Sequence, residues 1–228
     1  MKKFAALLLA LVMVLSLVAC GAKVKVMSHE EYMAAEKGSE VIVETYIQAT
    51  QGWWEKDGQG VITAYCQSKD GAYLAYEMKC AKDDAAKLVP GTKIRITGTK
   101  DEWSGEIEIV DATFEFVKGD SFIATAFDAT ALLGTADLEK HMNEKVTFKG
   151  LTVEKIEYQG GEPGKDIYVT LKLNDKSYGF CVESYLTGPN SDLYKAVGAL
   201  EVGAVVDVEG FLYWYEGANP HITAITVK

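Results

Sequence analysis

The stretch Leu88–Gly98 reads LVPGTKIRITG, and the stretch Leu200–Gly210 reads LEVGAVVDVEG. The two align without a gap at a constant offset of 112 residues, so that Gly98 falls on Gly210. A match of this length at one offset indicates an internal repeat, which must be identified before single elements are assigned. The chain is therefore interpreted as two copies of one structural unit.

The same offset continues beyond the quoted stretch. Trp103 falls on Tyr215, and Gly105 falls on Gly217. In both copies these residues join two segments in which apolar and polar side chains alternate, which is the pattern of paired strands. Each unit is therefore predicted to end in a hairpin with an aromatic residue before the turn.

Hydrophobic periodicity and turn signals predict five strands and one short helix in each unit. In the first unit the predicted strands are 40–50, 60–67, 72–79, 92–102 and 105–116, with a helix at 82–88. In the second they are 145–158, 166–173, 177–183, 204–215 and 221–227, with a helix at 191–200. The order β-β-β-α-β-β predicts a mainly β protein of two tandem OB-fold-like five-stranded barrels, each with its short helix between strands 3 and 4.

The amino terminus has the pattern of an export signal. Lys2 and Lys3 precede an apolar run from 4 to 18, which is long enough for a signal peptide and short for a membrane-spanning helix. The run ends in Leu-Val-Ala-Cys with Cys20 last, which resembles a bacterial lipobox, where cleavage precedes a cysteine that is then acylated. The alternative is an ordinary secretory signal with an incidental cysteine. The lipobox predicts a lipid-anchored protein on the extracytoplasmic face of the cell membrane.

These signals divide the chain into four parts. We assign 1–19 to the signal peptide, 20–38 to the anchor, linker and a short helix, 39–118 to the first barrel and 119–228 to the second. The whole pattern resembles the uncharacterised tandem OB-fold-like bacterial lipoprotein family of anaerobic Gram-positive bacteria. The resemblance implies architecture and location, and it implies no binding or catalytic residue.

Charge bears on the choice of partner. The chain has 33 acids against 23 bases, and removal of Lys2 and Lys3 with the signal leaves 21 bases, for a net charge of −12. Residues 39–118 hold 9 bases and 14 acids, and residues 119–228 hold 9 and 16. Proteins that bind single strands usually offer a positively charged groove. Nucleic acid is therefore predicted to be an unlikely partner.

Aromatic residues collect in the loops that flank the ligand face of an OB barrel, the loop between strands 1 and 2 and the loop between strands 4 and 5. The candidate ligand-binding residues are Trp53, Trp54 and Trp103 in the first unit and Tyr158, Tyr213, Trp214, Tyr215 and His221 in the second. One interpretation is a stacking platform for a flat or ring-shaped ligand. The other is that these rings cap the barrels or fill the interface between them.

Other chemical signals are weak. Cys66, Cys80 and Cys181 are an odd number without metal-site spacing, and a turn near 68–71 would place Cys66 opposite Tyr73 rather than Cys80. The histidines are scattered, so no metal site and no cofactor are predicted. Glu106 and Glu108 alternate with isoleucines and are interpreted as a solvated strand face. No nucleophile, phosphate-binding or dinucleotide motif occurs, so we predict no enzyme.

The function predicted from these features is that of a membrane-anchored, non-catalytic protein that binds an extracytoplasmic small molecule, oligosaccharide or peptide. Its partners would be the membrane, through the lipid on Cys20, and an unknown ligand or envelope protein. Two alternatives stay open at this point. One is a structural or adaptor subunit of a cell-envelope complex, and the other is a cell-wall oligosaccharide hydrolase.

Overall fold

The computed structural model describes residues 25–228, so the predicted signal peptide and Cys20 lie outside the described residues. Two six-stranded sheets, one for each repeat unit, make up most of the protein. The prediction of a mainly β protein with two tandem OB-fold-like domains is confirmed. None of the helices within 25–228 is both long and apolar enough to cross a membrane.

The first unit begins with a helix and contains six strands. In chain order its elements are α1 (His29–Ala34), β1 (Glu40–Thr50), β2 (Trp54–Lys56), β3 (Gln59–Gln67), β4 (Ala72–Lys79), α2 (Lys82–Ala85), β5 (Lys93–Trp103) and β6 (Glu106–Phe116). The bounds of the five predicted strands lie within one residue of those observed, and β2 is an additional short strand in the stretch predicted as the loop between strands 1 and 2. The predicted helix after β4 is shorter than expected, with only one turn at Lys82–Ala85.

The second unit repeats this plan. Its elements are β7 (Phe127–Asp128), two short 3₁₀ helices (Thr130–Leu132 and Ala136–His141), β8 (Lys145–Tyr158), a 3₁₀ turn (Gln159–Gly161), β9 (Ile167–Leu173), β10 (Lys176–Val182), α3 (Ser184–Thr187), α4 (Asp192–Gly198), β11 (Val205–Phe211) and β12 (His221–Val227). The strand predicted for 204–215 ends at Phe211 because the backbone turns there, with the Tyr213 N–H donating to the Phe211 carbonyl at 2.8 Å.

Both units close into barrels by the same pairings. In the first, β1 pairs with β3, β3 with β4, β4 with β6 in parallel, β6 with β5, and β5 back with β1. In the second, β8, β9, β10, β12 and β11 repeat that circuit, again with one parallel pair. The sixth strand of each sheet, β2 or β7, is a short addition outside the closed circuit. Five strands thus form each barrel, as predicted.

Each barrel has its own apolar core. Ile94 and Ile109 are fully buried in the first, and Phe148 and Phe180 are buried in the second. A third, smaller cluster joins the two barrels and includes Tyr65. The domain boundary proposed between residues 118 and 119 stays a prediction, and it falls between the end of β6 and the start of β7.

The cysteines follow the prediction from strand register. Cys66 pairs with Tyr73 across β3 and β4. Cys66, Cys80 and Cys181 are free and buried. Burial raises the pKa of each thiol, so these cysteines behave as small apolar core residues rather than as reactive thiolates.

Candidate functional site

The two barrels meet through side chains from β3 of the first and from β11 and β12 of the second. The ring of Tyr65 stacks on Phe211 with centroids 4.7 Å apart and an interplanar angle of 23°. Its hydroxyl is hydrogen-bonded to Nδ1 of His221 at 2.7 Å. Gln51 of the first barrel donates to the carboxyl of Glu183 at 2.7 Å. This interface fixes one wall of an open groove.

The groove between the barrels has a volume of about 580 Å³, which is within the range of ligand sites. We call it the inter-barrel groove. Its lining includes Trp103 from the first barrel and Asp166, Tyr168, Glu183, Tyr213, Tyr215, Asn219 and His221 from the second. In the described part of the chain no lysine or arginine lines it.

Three aromatic side chains of the groove are open to solvent. Trp103 is 52% exposed, Tyr215 is 45% exposed and Tyr168 is 44% exposed. The rings of Trp103 and Tyr215 lie 5.2 Å apart at 39°, one from each barrel. Below them, Tyr213 stacks on His221 with centroids 4.2 Å apart. The groove therefore presents three exposed rings near a stacked pair in which Tyr213 is half-buried and His221 is buried.

A tight turn brings Trp103 to the second barrel. Ser104 and Gly105, which join β5 to β6, both have positive φ, as in the two-residue hairpins that match the twist of paired strands. The Ser104 carbonyl accepts a hydrogen bond from the Glu216 N–H at 2.8 Å. A Cβ on Gly105 would lie 2.8 Å from Cδ1 of Trp214, so only glycine allows this contact. The predicted turn is thus also the link between the two aromatic loops.

The polar groups of the groove are mostly acceptors. One oxygen of Asp166 accepts from the N–H and the hydroxyl of Ser184, both at 2.8 Å, and its other oxygen has no hydrogen bond within 25–228. The side-chain amide of Asn219 also makes none there. Two polar side chains in the groove thus have hydrogen-bonding capacity left for a ligand.

Burial changes the protonation of the groove wall. It raises the pKa of Glu183 to about 7, although the hydrogen bond from Gln51 acts in the opposite direction. Burial also lowers the pKa of His221 to about 3, so its ring is neutral at physiological pH. The wall can therefore both donate and accept hydrogen bonds near neutrality without carrying full charge.

The structure brings together four of the eight candidate residues, Trp103, Tyr213, Tyr215 and His221. The other four lie elsewhere. Trp53 packs on the first core and donates from Nε1 to the Cys80 carbonyl at 2.9 Å, and Trp54 is exposed on β2. Tyr158 packs near Tyr194, and Trp214 is held between the barrels. Trp53, Tyr158 and Trp214 thus pack against other residues, and a role of the candidate residues in ligand binding stays a prediction.

Sequence reasoning missed Asp166, Tyr168, Glu183 and Asn219. Tyr168 is an exposed residue of β9 between the buried Ile167 and Val169, and Glu183 follows directly on β10. A polar residue at the end of a strand is a signal that could have indicated Glu183. Nothing in the local sequence places Asn219 beside the others, because the pairing of β12 with β10 and of β10 with β9 brings these segments together within the second barrel.

The prediction that Glu106 and Glu108 form a solvated strand face is wrong. Glu106 is fully buried and Glu108 is 6% exposed. The second barrel covers Glu106, whose carboxyl group accepts from the Trp214 N–H at 2.8 Å, whereas Glu108 is buried beside residues of the first barrel. Burial raises the pKa of Glu106 to about 8 and that of Glu108 to about 7.

Comparison with known proteins gives likeness in fold only. No protein-family model matches the chain, and no curated protein matches it. Among solved structures, a murine DNA-binding protein bound to double-stranded DNA has a TM-score of 0.39 at 12% identity, covering 82% of this chain and 94% of that one. The HINa domain of Ifi202 in complex with 20-bp double-stranded DNA has a TM-score of 0.37 at 14% identity, with 83% and 98% covered.

A replication protein A heterotrimer bound to single-stranded DNA is a third similar structure. Its TM-score is 0.36 at 9% identity, and the match covers 83% of this chain and 49% of that one. The bound molecule in all three structures is DNA. The prediction that nucleic acid is an unlikely partner is contradicted by these comparisons, and so is the predicted function as a binder of an extracytoplasmic small molecule, oligosaccharide or peptide. The adaptor and hydrolase alternatives stated with that function are withdrawn with it.

Proposed function

We propose that this protein is a non-catalytic nucleic-acid-binding protein that holds unpaired bases in the inter-barrel groove. The observation that carries the proposal is the set of exposed rings of Trp103, Tyr168 and Tyr215 around one cavity. Stacking of a base on an aromatic side chain is worth about 1–3 kcal/mol and tolerates every base, because every base has a π face.

The polar groups of the groove favour bases that carry an amino group. The free oxygen of Asp166 accepts hydrogen bonds, and carboxylates accept from the exocyclic amine of cytosine. The amide of Asn219 suits the donor and acceptor edge of adenine. Thymine offers no amino group, so the groove is expected to bind oligo(dC) and oligo(dA) more tightly than oligo(dT).

The net negative charge of the chain bears on where the phosphates of a bound oligonucleotide would lie. With 33 acids against 23 bases and no cation in the described lining of the groove, the phosphates are best placed towards solvent. Proteins that neutralise phosphates lose affinity steeply as salt rises, because counterions are released on binding. Here binding depends on stacking, so added salt reduces repulsion and is expected to leave affinity unchanged or to raise it.

The absence of catalysis is part of the proposal. His221, the one imidazole in the groove wall, is 7% exposed, and its Nδ1 is hydrogen-bonded to Tyr65. Its pKa is lowered by burial, so it is a poor base at neutral pH. We assign this histidine a structural role at the interface.

The test uses the chain from residue 20 onward, which contains every described element, with single-stranded oligonucleotides of about twelve residues. Binding is measured by fluorescence anisotropy at about 50 and 200 mM salt. Trp103→Ala and Tyr215→Ala are each expected to weaken binding of oligo(dC) roughly tenfold. Trp54→Ala, which removes an exposed tryptophan outside the groove, is the matched control and is expected to have no effect.

Two results would overturn the proposal. One is the absence of binding by any of the three oligonucleotides, and the other is an equal loss in Trp54→Ala and Trp103→Ala. A steep fall in affinity between the two salt concentrations would contradict the placement of the phosphates, since it would indicate contacts to cations elsewhere on the surface.

We also propose that acylation of Cys20 anchors the protein on the extracytoplasmic face of the cell membrane. The support is the apolar run 4–18 that ends in Leu-Val-Ala-Cys. A net charge of −12 on the mature chain gives no attraction to anionic lipids, so the acyl groups must supply the anchor. Stable anchoring takes two membrane-binding signals, so more than one acyl chain is expected. Cys20→Ala is expected to move the protein out of the membrane fraction, and its retention there would contradict the anchor.

A further inference from the structure

A second cavity, of about 410 Å³, lies on the first barrel, where β2, β3, β4 and β6 come together. We call it the β4–β6 pocket. Its lining includes Lys56, Tyr76, Glu77, Lys79, Glu108 and Asp111. None of these residues lines the inter-barrel groove, so the pocket is a separate site.

Glu108 is the buried polar group of this pocket. It is 94% buried, and its carboxyl group makes no hydrogen bond or ion pair with any residue in 25–228. Burial, and then the charges of Asp101 and Glu77, raises its pKa to about 7. A buried carboxyl group without a partner is destabilising, and a cation placed beside it would relieve that cost.

Two β-bulges set the rim of the pocket. In β4, Glu77 has φ +46°, and its N–H donates to the Thr63 hydroxyl at 3.1 Å where the pairing with β3 shifts. In β6, Asp111 has φ +52° where the pairing with β5 shifts. Bulges redirect side chains out of the regular alternation. Here they put two further carboxylates at the mouth of the cavity.

The charges of the pocket favour a cation. Four carboxyl groups and two lysines line it, and the ammonium of Lys56 is already bound to Glu77. In the described residues, no group of three or more histidine, cysteine, aspartate or glutamate side chains is arranged to hold a metal ion. The apolar and aromatic side chains beside these carboxyl groups favour an organic cation.

The remaining lining indicates the shape of that cation. The ring of Tyr76 is 41% exposed and gives the cavity an aromatic face against which a hydrocarbon chain can pack. Val61 and Val110 provide apolar surface in the same cavity, which suits a short hydrocarbon chain. An ammonium donates three hydrogen bonds and would satisfy a carboxyl group such as that of Glu108.

We propose that the β4–β6 pocket binds a primary alkylammonium ligand, with its ammonium on Glu108 and its hydrocarbon chain against Tyr76 and the two valines. The proposal goes beyond nucleic-acid binding and does not depend on it. The amine-binding proposal and the nucleic-acid-binding proposal can be tested independently, because no residue is shared between the pocket and the groove.

The experiment titrates n-butylammonium and 1,4-diaminobutane into the chain from residue 20 onward, with tetramethylammonium at equal ionic strength as a reference. Binding is measured by calorimetry and by the midpoint of thermal unfolding. The wild-type chain is expected to gain several degrees at about 100 times Kd with the primary amines and none with tetramethylammonium. Glu108→Gln, which keeps the shape of the side chain, is expected to abolish the gain.

Glu115→Gln is the matched control, because Glu115 lies on the same strand and is exposed outside the pocket. It is expected to bind amines as the wild type does. If Glu108→Gln does not fold, Tyr76→Ala replaces it, since removal of this exposed ring is expected to weaken amine binding severalfold. An equal response to all three cations, a full response in Glu108→Gln, or no response in the wild type would overturn the proposal.

Discussion

The buried carboxyl group of Glu106 is one of the contacts that join the two barrels. One oxygen accepts from the Trp214 N–H, and the other is buried without a partner. The Oδ1 atom of Asn143 is also buried without a partner. Burial disfavours the ionised form of Glu106, and the polar side chain of Asn143 and the hydrogen bond from the Trp214 N–H, which both lower its pKa, offset only part of that effect. This agrees with the rise of its pKa to about 8, which is caused mainly by burial.

The first prediction concerns this residue and pH. Because the pKa of Glu106 rises on folding from 4.5 to about 8, the folded state binds more protons than the unfolded state between those values. Its contribution to the free energy of unfolding is therefore fully present below about pH 4.5 and is lost as pH rises to about 8. Glu106→Gln, which is always neutral and can donate, should be more stable than the wild type at pH 8 by roughly 1–3 kcal/mol.

Urea unfolding at pH 5, 7 and 9 measures this difference. The advantage of Glu106→Gln should grow with pH, and Glu115→Gln, at an exposed position on the same strand, should show no such trend. A pH dependence of stability that is the same in the wild type and in Glu106→Gln would show that the carboxyl group does not titrate in this range.

At the scale of single residues, the sequence predicts that side chains alternate between two faces of a strand, but not which face the other barrel covers. The run Glu106 to Ile109 correctly indicates two opposite faces of a strand, and Ile109 lies in the first core. Which face meets water depends on the second barrel, whose Trp214 covers Glu106. That contact joins residues 108 positions apart, so no local pattern could reveal it.

At the scale of single elements, the repeated glycines mark the places where neighbouring strands come closest. A Cβ on Gly98 would lie 2.7 Å from a methyl carbon of Ile109, and one on Gly210 would lie 2.0 Å from the His221 carbonyl oxygen. Both glycines also lie where the strand pairing shifts by a residue. Gly98 and Gly210 are thus required by the geometry of barrel closure in both copies.

The second prediction follows from this close approach. Gly210→Ala must displace the backbone of His221, so we expect it to reduce the free energy of unfolding by roughly 1–3 kcal/mol. Gly179→Ala is the matched control, because Gly179 also lies in a strand and a Cβ there would meet nothing within 4 Å. Its effect should stay within about 0.5 kcal/mol. Equal losses in the two variants, measured by urea unfolding, would contradict the role given to Gly210.

The sequence predicts the bounds of the strands better than it predicts any other feature of this protein. Alternation along β1 and β8 gives their bounds as 40–50 and 145–158, because one face of each strand is packed on a core. The strand predicted for 204–215 fails at its end because aromatic residues with high strand propensity continue into a loop after Phe211. There the preference of Tyr213 to Tyr215 for strands is overridden by contacts with the first barrel.

At the scale of the whole molecule, the inter-barrel groove exists only because two barrels with separate cores meet. Trp103 comes from one barrel and Tyr215 from the other, and each is exposed on one side. The repeat predicts two similar barrels but not which surfaces join. The sequence therefore shows aromatic loops in both units. Only the contact between the barrels shows that Trp103 lines the groove, whereas Trp53 packs on the first core.

The third prediction tests whether the barrels act as one body. Tyr65 is the centre of their contact, since its ring stacks on Phe211 and its hydroxyl is hydrogen-bonded to His221 at 2.7 Å. Tyr65→Phe keeps the ring and leaves Nδ1 of His221 buried without that partner, at a cost of roughly 1–3 kcal/mol. We expect the wild type to unfold in one calorimetric transition and Tyr65→Phe to unfold in two, because the lost bond belongs to the interface.

Tyr178→Phe provides the comparison, because the Tyr178 hydroxyl donates to the Leu133 carbonyl within the second barrel alone. This variant should lower the midpoint and keep a single transition, since a bond inside one barrel does not couple the two. Two transitions in the wild type would show that the interface is too weak to hold the groove in one shape. The affinity of the groove for its ligand would then include the cost of bringing the barrels together, and Tyr65→Phe would weaken binding without touching the bound base.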